Sequence, residues 1–519
     1  MVQMTDLNTT DIIDAIRLGC QSMGRMFDPE DDNLPYFRVI AHPEAYLGMP
    51  MPDHVPGRHI NALLNAAEVA GIEVDEDVID KHAAANYLSL SGPVALSLGR
   101  QDCKGALKTF HPHHIRETFH ALYPLVQYRN SERAQSCAAA CIDAVFEYFD
   151  LEGDWDYDRL EREHGLQCHR DGTFITGVAR AIGPLVKYYR ASGYGPALEL
   201  AIALKEKAFA EVFEEDGSYD AEVFGTHAHS TTCTLSSLAQ LADLSGDAAL
   251  LQRVKAFFDR GLWEMRDELG WSVENTRPAD ERSDEGEMNN TGDILETALI
   301  LGRWGYSEYY HDAERILRCH MLPAQLRDIS FVREPDNPEG IDRLTNVAAR
   351  VRGCFGFPAP YGHQPIGNQR IRFNTDVVGG TVGSLCEALR EVARFEKSGH
   401  WVNLLFDRET PFVKIESPYT HPALRIWVKK PAPLFVRIPP WVDRGALQVE
   451  GLEKVPHCAK GYLVIAEPPV NRPIKIEFPL VLQEIALEHQ ARTIRTRLRG
   501  DAVEAMENFG ADLTFFDPL

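Results

Sequence analysis

The chain has 519 residues, 44% of them hydrophobic, and its 53 Lys and Arg against 77 Asp and Glu leave a formal net charge of −24. Such a charge repels phosphate backbones and anionic membrane surfaces at long range, so nucleic acid and membrane are not expected as partners. The length corresponds to about three domain equivalents, and the composition excludes disorder, collagen and small disulfide scaffolds. Met1-Val2-Gln3-Met4-Thr5-Asp6 lacks a basic and apolar leader, and no run approaches the roughly 18 apolar residues of a membrane span. With ten scattered cysteines and no Cys-x2-Cys pair, this reads as a cytoplasmic chain with reduced thiols, although a leader removed beforehand leaves the same pattern.

From residue 10 to about 397 the dominant period is helical. The spacing predicts about twelve helices, over 10–23, 60–70, 77–97, 114–126, 133–150, 174–192, 196–214, 231–245, 248–260, 291–304, 307–326 and 377–397. Three turns are alike, Ser192-Gly193-Tyr194, Ser245-Gly246-Asp247 and Trp304-Gly305-Tyr306, their glycines 53 and 59 residues apart. Gly just past a helix end lets the chain reverse into the next helix. A hairpin repeat of this length buries its apolar face only against its neighbours. Six such hairpins closed into a ring make an (α/α)6 toroid, the expected fold, with an open solenoid or an irregular bundle as alternatives.

Two stretches, 28–57 and 328–372, are poor in helix signals, and long irregular segments in a compact domain tend to carry function, so both are candidate rims of a site. Near residue 400 the pattern changes to short alternating runs at 412–416, 424–428, 434–438, 461–465 and 474–478, which suit an antiparallel β-sandwich. The expected organisation is an N-terminal helix and Pro-rich rim over 1–57, the barrel over 58–399 and the β-sandwich over 400–519.

The densest chemistry lies in Gly270-Trp271-Ser272-Val273-Glu274-Asn275-Thr276-Arg277, continuing through Asp280, Glu281, Asp284, Glu285 and Glu287 to Asn289-Asn290-Thr291-Gly292-Asp293. Trp271 offers a stacking ring, Arg277 and Asn290 offer hydrogen bonds, and Glu274, Glu287 and Asp293 offer carboxyls to trade protons with a glycosidic oxygen. Each acid also has a plainer reading as a helix-start carboxylate. Between residues 274 and 293 seven acids face two arginines, which places part of the excess charge at the expected barrel mouth.

His227 and His229 alternate in Gly225-Thr226-His227-Ala228-His229-Ser230, which suits a sugar hydroxyl, proton transfer, or simply the start of a helix. Two imidazoles with no third ligand in view do not define a metal site, and neither metal nor cofactor is expected. His111-Pro112-His113-His114 is placed similarly and reads as solvated. Asp171, followed by Gly172 and Thr173, is a cap or a pocket carboxylate. Arg352 begins a segment that leads to His363, and Asp376 opens the last barrel helix, where Gly379-Gly380 lets backbone pack closely. No P-loop, dinucleotide fingerprint, His-Glu-x-x-His helix or Gly-x-Ser-x-Gly elbow is present.

Leu434-Phe435-Val436-Arg437-Ile438-Pro439-Pro440-Trp441, Gly461-Tyr462-Leu463 with the run 474–479, and Leu498-Arg499-Gly500-Asp501 resemble consecutive strands of the beta-L-arabinofuranosidase-type glycoside hydrolases of the six-hairpin glycosidase superfamily. Gly225-Thr226-His227 with Ser245-Gly246-Asp247, and Tyr309-Tyr310-His311-Asp312-Ala313-Glu314-Arg315, resemble hairpins of its barrel. The resemblance covers most of the chain from about Phe174 onward. It implies an (α/α)6 barrel, an appended β-sandwich and exo-acting removal of a terminal sugar. It also implies a zinc ion held by a Glu and three cysteines, one of them the nucleophile. Here the Glu-x-Cys element falls at Glu287-Met288-Asn289 and the cysteine pair near Asn374-Thr375-Asp376, both without cysteine, while Cys354 and Cys386 stand alone.

A thiolate zinc site is therefore not carried over. The expectation is a glycoside hydrolase acting on an oligosaccharide through a carboxyl pair, Glu287 and Asp376, with Glu274 as the other proton donor. Asp171, His227, His229 and Trp271 are expected on the ring, and Asn290, Asp293 and His363 nearby. Arg277, Arg282 and Arg352 leave room for an acidic sugar beside a neutral pentose or hexose. A lyase or epimerase on the same toroid and a non-catalytic carbohydrate-binding protein are the alternatives, and a homodimer is left open.

Overall fold

The computed structural model describes residues 3–170, 172–277, 284–368, 370–489 and 491–519. Six inner helices frame it: Val55–Ala70, His114–Arg129, Ile182–Ser192, Ala228–Ser245, Met288–Arg303 and Thr375–Val392. Each packs on the next and the last packs on the first, so the ring is closed and the fold is an (α/α)6 toroid. Outer helices Glu76–Ser89, Glu132–Tyr148, Gly195–Glu211, Ala248–Asp259 and Tyr309–Ile316 back the first five. The sixth is backed by Ile12–Met23, supplied from the other end of the chain.

The two rings differ in composition for a packing reason. Inner helix Ala228–Ser245 is built largely of Ala, Ser and Thr and is buried around most of its circumference. Outer helix Ala248–Asp259 buries one stripe, Leu250, Leu251, Val254, Phe257 and Phe258. Gly193, Gly246 and Gly305 carry φ of 69°, 68° and 99°, the left-handed backbone that turns an inner helix into an outer one.

Some elements differ from the sequence expectation. The last inner helix stops at Val392 because Ala393–Glu396 pairs as a strand with Gly399–Val402. The segment 174–192 becomes a regular helix only at Ile182, after a tight turn at Val178–Ala181, with Pro184 in the first turn where its missing N–H is tolerated. The two helix-poor stretches pair with each other. Leu34–His42 runs antiparallel to Tyr46–Pro50 on one edge and to Ile371–Asn374 on the other, with Arg38 opposite both Gly48 and Asn374.

The C-terminal β-sandwich has two five-stranded sheets. One is ordered Arg408–Glu409, Val413–Glu416, Leu424–Val428, Pro473–Glu477 and Gln448–Glu450. The other is ordered His457–Ala459, Tyr462–Ile465, Leu434–Arg437, Gly399–Val402 and Ala393–Glu396, and its Leu434–Arg437 to Gly399–Val402 pairing is parallel rather than antiparallel. A three-stranded sheet, Leu482–Glu488, Thr493–Arg499 and Ala502–Met506, follows. Buried ions join the C-terminal strands to outer helix Tyr309–Ile316: Glu314, which accepts from Arg318 Nε at 3.0 Å, pairs with Arg437, and Asp501, in the turn before Ala502–Met506, pairs with Arg315 at 3.1 Å. Among the described residues no helix is long and apolar enough to cross a membrane.

Candidate active site

A cavity of about 500 Å³ opens at one mouth of the ring, and the residues that begin the inner helices line it. His54 and Arg58 come from the first, His113 from the second, Arg180 from the turn before the third, and His227 with His229 from the fourth; Glu287 comes from the fifth, and Asn374 with Asp376 from the sixth. Every inner helix thus presents its N-terminal end, with its positive partial charge, to the same space.

Glu287 stands at the N-cap position of its helix, its side chain free of a capping bond, and is 6% exposed. Its Oε1 accepts from Asn289 Nδ2 at 2.8 Å and lies 3.3 Å from His229 Nδ1, and its Oε2 lies 3.7 Å from His227 Nε2. Burial, then the charges of Glu274 and Asp376, raise its pKa to about 8, so it carries a proton at neutral pH. Asp376 is 4% exposed, with Oδ2 3.4 Å from His54 Nε2 and 3.8 Å from Arg58, and Oδ1 buried without a hydrogen-bond partner. The rim sheet explains this placement: strand Ile371–Asn374 leads into Asp376, and strand Tyr46–Pro50 of the same sheet leads to His54. Glu274 also lines the cavity, ion-paired at 2.6 Å with Arg372, which reaches Glu285 at 3.0 Å.

Beneath Glu287 a charged layer crosses the ring. His229 Nδ1 is 3.0 Å from Arg180, and Nε2 is 3.2 Å from Arg116 and 3.5 Å from Asp293. Burial and the two guanidiniums push His229 well below the usual imidazole range, and burial with the same arginines lowers His227 to about 3, so both rings are neutral. Glu117 pairs with Arg58 at 3.1 Å and with Arg116. Burial opposes its ionisation, but Arg116 and His54 outweigh that and hold it below its usual range.

The structure brings together Glu287, Asp376, Glu274, His227 and His229, and it puts the other expected residues elsewhere. Trp271 is buried with its indole N–H donating to the Pro358 carbonyl at 3.0 Å, so its ring is not on the cavity wall. Asn290 donates to the Val273 carbonyl at 2.9 Å and holds the loop that bears Glu274. Asp293 lies one turn deeper, accepting from Thr232 at 3.1 Å, its pKa raised to about 8 by burial and Glu296. His363 packs between Phe373 and Phe515. Arg277 is exposed and paired with Glu222, and Arg352 is exposed, 3.8 Å from Asp6. Asp171 and Arg282 lie outside the described residues.

His54, Arg58 and Arg180 were not singled out from the sequence, and the histidines 111–114 were expected in solvent. His111 and His113 instead line the cavity, and His114 is buried 2.7 Å from Asp53.

No family model and no curated protein matches the chain. Solved structures do. It is similar to a GH127 beta-L-arabinofuranosidase from Geobacillus stearothermophilus T6, at TM-score 0.58 and 15% identity over 96% of this chain and 86% of that one. A second GH127 beta-arabinofuranosidase gives TM-score 0.61 and 13% identity, over 96% and 83%. A sugar epimerase from a ruminal bacterium gives 0.50 and 12%, over 73% and 99%. The fold is that of the six-hairpin glycosidases. At these identities the likeness is one of fold, so the chemistry rests on this chain's own residues.

The zinc implied by the sequence resemblance does not fit those residues. Asn289 donates to Glu287 where a thiolate would stand, and Asp376 engages His54 and Arg58. Cys233 accepts from Arg116 at 2.9 Å and is kept protonated by burial. Ring nitrogens of His54, His113 and His114 lie within 4.8 Å of one another, as do donor atoms of His227, His229 and Glu287, and those of His229, Cys233 and Asp293. Around the second group, Arg116 and Arg180 at His229 oppose a cation.

Proposed function

We propose that the chain is an exo-acting glycoside hydrolase that removes a terminal sugar from an oligosaccharide, with Glu287 as proton donor and Asp376 as the opposing carboxylate. The observation that carries this is the asymmetry of two buried carboxyls at one cavity. Glu287 sits where burial and neighbouring acids keep its proton, and Asp376 sits against a guanidinium and an imidazole. Such a division of labour lets one group protonate the leaving oxygen while the other attacks the anomeric carbon or activates water. His227, held neutral, is placed to hydrogen-bond a sugar hydroxyl, while His229, its ring nitrogens engaged by Arg180 and Arg116, orients Glu287. The layer of ion pairs beneath Glu287 suits the end of a chain rather than its middle.

The test is release of reducing sugar from a panel of 4-nitrophenyl glycosides and oligosaccharides. Glu287→Gln and Asp376→Asn are each expected to lower kcat by about 10³-fold, and wild-type kcat against either variant decides. A second reading, an epimerase or lyase, is favoured by the neutral imidazoles of His113, His227 and His229 around the same cavity. It predicts solvent deuterium incorporation into the sugar, or an unsaturated product absorbing in the near ultraviolet, with no release of an aglycone. Carbohydrate binding without turnover would identify a binding protein.

A further inference from the structure

Arg180 is a buried cation at the cavity without a carboxylate of its own. It is 4% exposed and lines the wall beside Thr173, Thr176 and Val178. The other guanidiniums here are matched: Arg58 and Arg116 share Glu117, and Arg372 divides between Glu274 and Glu285. Among the described residues no carboxylate oxygen pairs with Arg180. One terminal N–H of Arg180 faces His229 Nδ1, and its Nε is buried with no hydrogen-bond partner. Burial and Arg116 push the guanidinium below the usual arginine range, the direction expected of a cation lacking a counterion. Of the nearby acids, ionised Glu117 is already shared by Arg58 and Arg116, and burial raises the pKa of Glu287 and Asp293 so that they hold their protons. A buried, unmatched charge is costly, and six helix N-termini directed at the same space add to the positive potential.

We propose that Arg180 seats the ring carboxylate of the terminal sugar, which makes the substrate class a uronic acid glycoside. This rests on reading the cavity as a sugar-cleaving site. Arg180, Thr173 and Thr176 line the same wall, and a planar carboxylate there would supply the counter-charge that the guanidinium lacks. A neutral hexose would leave the Arg180 charge unmatched, and sites built around such a group discriminate strongly against ligands that cannot satisfy it. Arg277 and Arg352, the sequence's candidates for this task, are engaged on the outer surface.

The test pairs acid with neutral counterpart. Calorimetric titration of the wild-type chain with glucuronate, galacturonate, glucose, galactose and glucose 6-sulfate is run first, followed by kcat/KM on 4-nitrophenyl glucuronides, galacturonides, glucosides and galactosides of both anomers. At least one uronate is expected to bind about 50-fold more tightly than its neutral partner and than the sulfate. Arg180→Gln is expected to reduce that ratio at least about 20-fold, with Arg180→Lys restoring part of it. Equal binding of acid and neutral sugars by the wild type overturns the proposal whether or not the variants fold. So does equal binding of the sulfate, or a ratio unchanged in Arg180→Gln, because a merely structural arginine lowers both members of a pair together. Arg180-dependent uronate binding without cleavage of any glycoside keeps the carboxylate seat and sinks the hydrolase reading. Cleavage of neutral glycosides with no preference for uronides does the reverse.

Discussion

A carboxyl that keeps its proton at neutral pH leaves two separate marks. With its pKa near 8, Glu287 loses the proton a leaving group needs as pH rises, so kcat/KM is expected to show an alkaline limb near pH 8 that Glu287→Gln abolishes along with most turnover. The second mark is on stability. The ordinary glutamate value is 4.5, so between there and about 8 the folded chain binds a proton that the unfolded chain has released. Stability then falls with rising pH across that window and levels above it. Gln cannot ionise, and Glu287→Gln is expected to melt higher than the wild type by about 1–2 °C or more at pH 9 and by less at pH 5. A variant that melts lower at pH 9 contradicts the raised carboxyl. The residues that announce themselves in the sequence, Glu274, Glu287, Asp376, His227 and His229, stand in polar or Gly-containing segments ahead of helices or in their first turn, and in this ring those segments are the mouth. Arg58 is hidden inside a helix. Arg180 is the single charge in the run 175–186, and that isolation is the one available signal. Trp271 misleads because a polar, aromatic segment looks the same whether its indole faces a sugar or a carbonyl.

Helices that must bring six N-termini together need close backbone approach, and glycine supplies it. A Cβ on Gly57 would fall onto the Glu117 carbonyl, and one on Gly380 onto the Asn289 side chain. Gly57→Ala would wedge apart the two helices that carry the Arg58–Glu117 pair, and a loss of about 2–3 kcal/mol is expected in urea unfolding. Gly246→Ala, at a left-handed helix end with open space around it, is expected to cost only about 1 kcal/mol. If the two variants lose equal stability, the close approach is not what Gly57 serves. The repeating hairpins were legible because inner and outer helices carry a local period and a Gly stop. The rim sheet was not, since strand Leu34–His42 finds its partner at Ile371–Asn374 and nothing local in either segment names the other.

For the whole molecule, the helical and β layers are joined by ions that water does not reach. Burial works against ionised Asp501, but its hydrogen bond with His311 and the nearby Arg315 outweigh that and lower its pKa to about 2, against an ordinary value of 3.8. The stability it contributes is therefore present above about pH 4 and lost as pH falls through 2. Asp501→Asn is expected to lose about 2–3 kcal/mol at pH 7 and little near pH 2, measured by urea unfolding at the two pH values. The −24 charge bears on substrate as well. An anionic sugar must approach against it, so kcat/KM for an aryl uronide is expected to rise as salt goes from 10 to 150 mM, with a neutral glycoside unaffected. A fall with salt would mean that the field at the mouth is attractive.

Ring closure also dictates when the chain acquires its chemistry. Thr375 bonds to the Tyr36 carbonyl across 339 positions, and helix Val55–Ala70 has Thr375–Val392 as a flank. At ribosomal speeds the first inner helix waits on the order of half a minute for that neighbour, its apolar side uncovered. A nascent chain short of residue 375 lacks the finished cavity, because Asp376 arrives in the same stroke that zips the seam. Quality control in the cell thus meets an unsealed ring, with sticky edges and no closed cavity, before it meets a finished one.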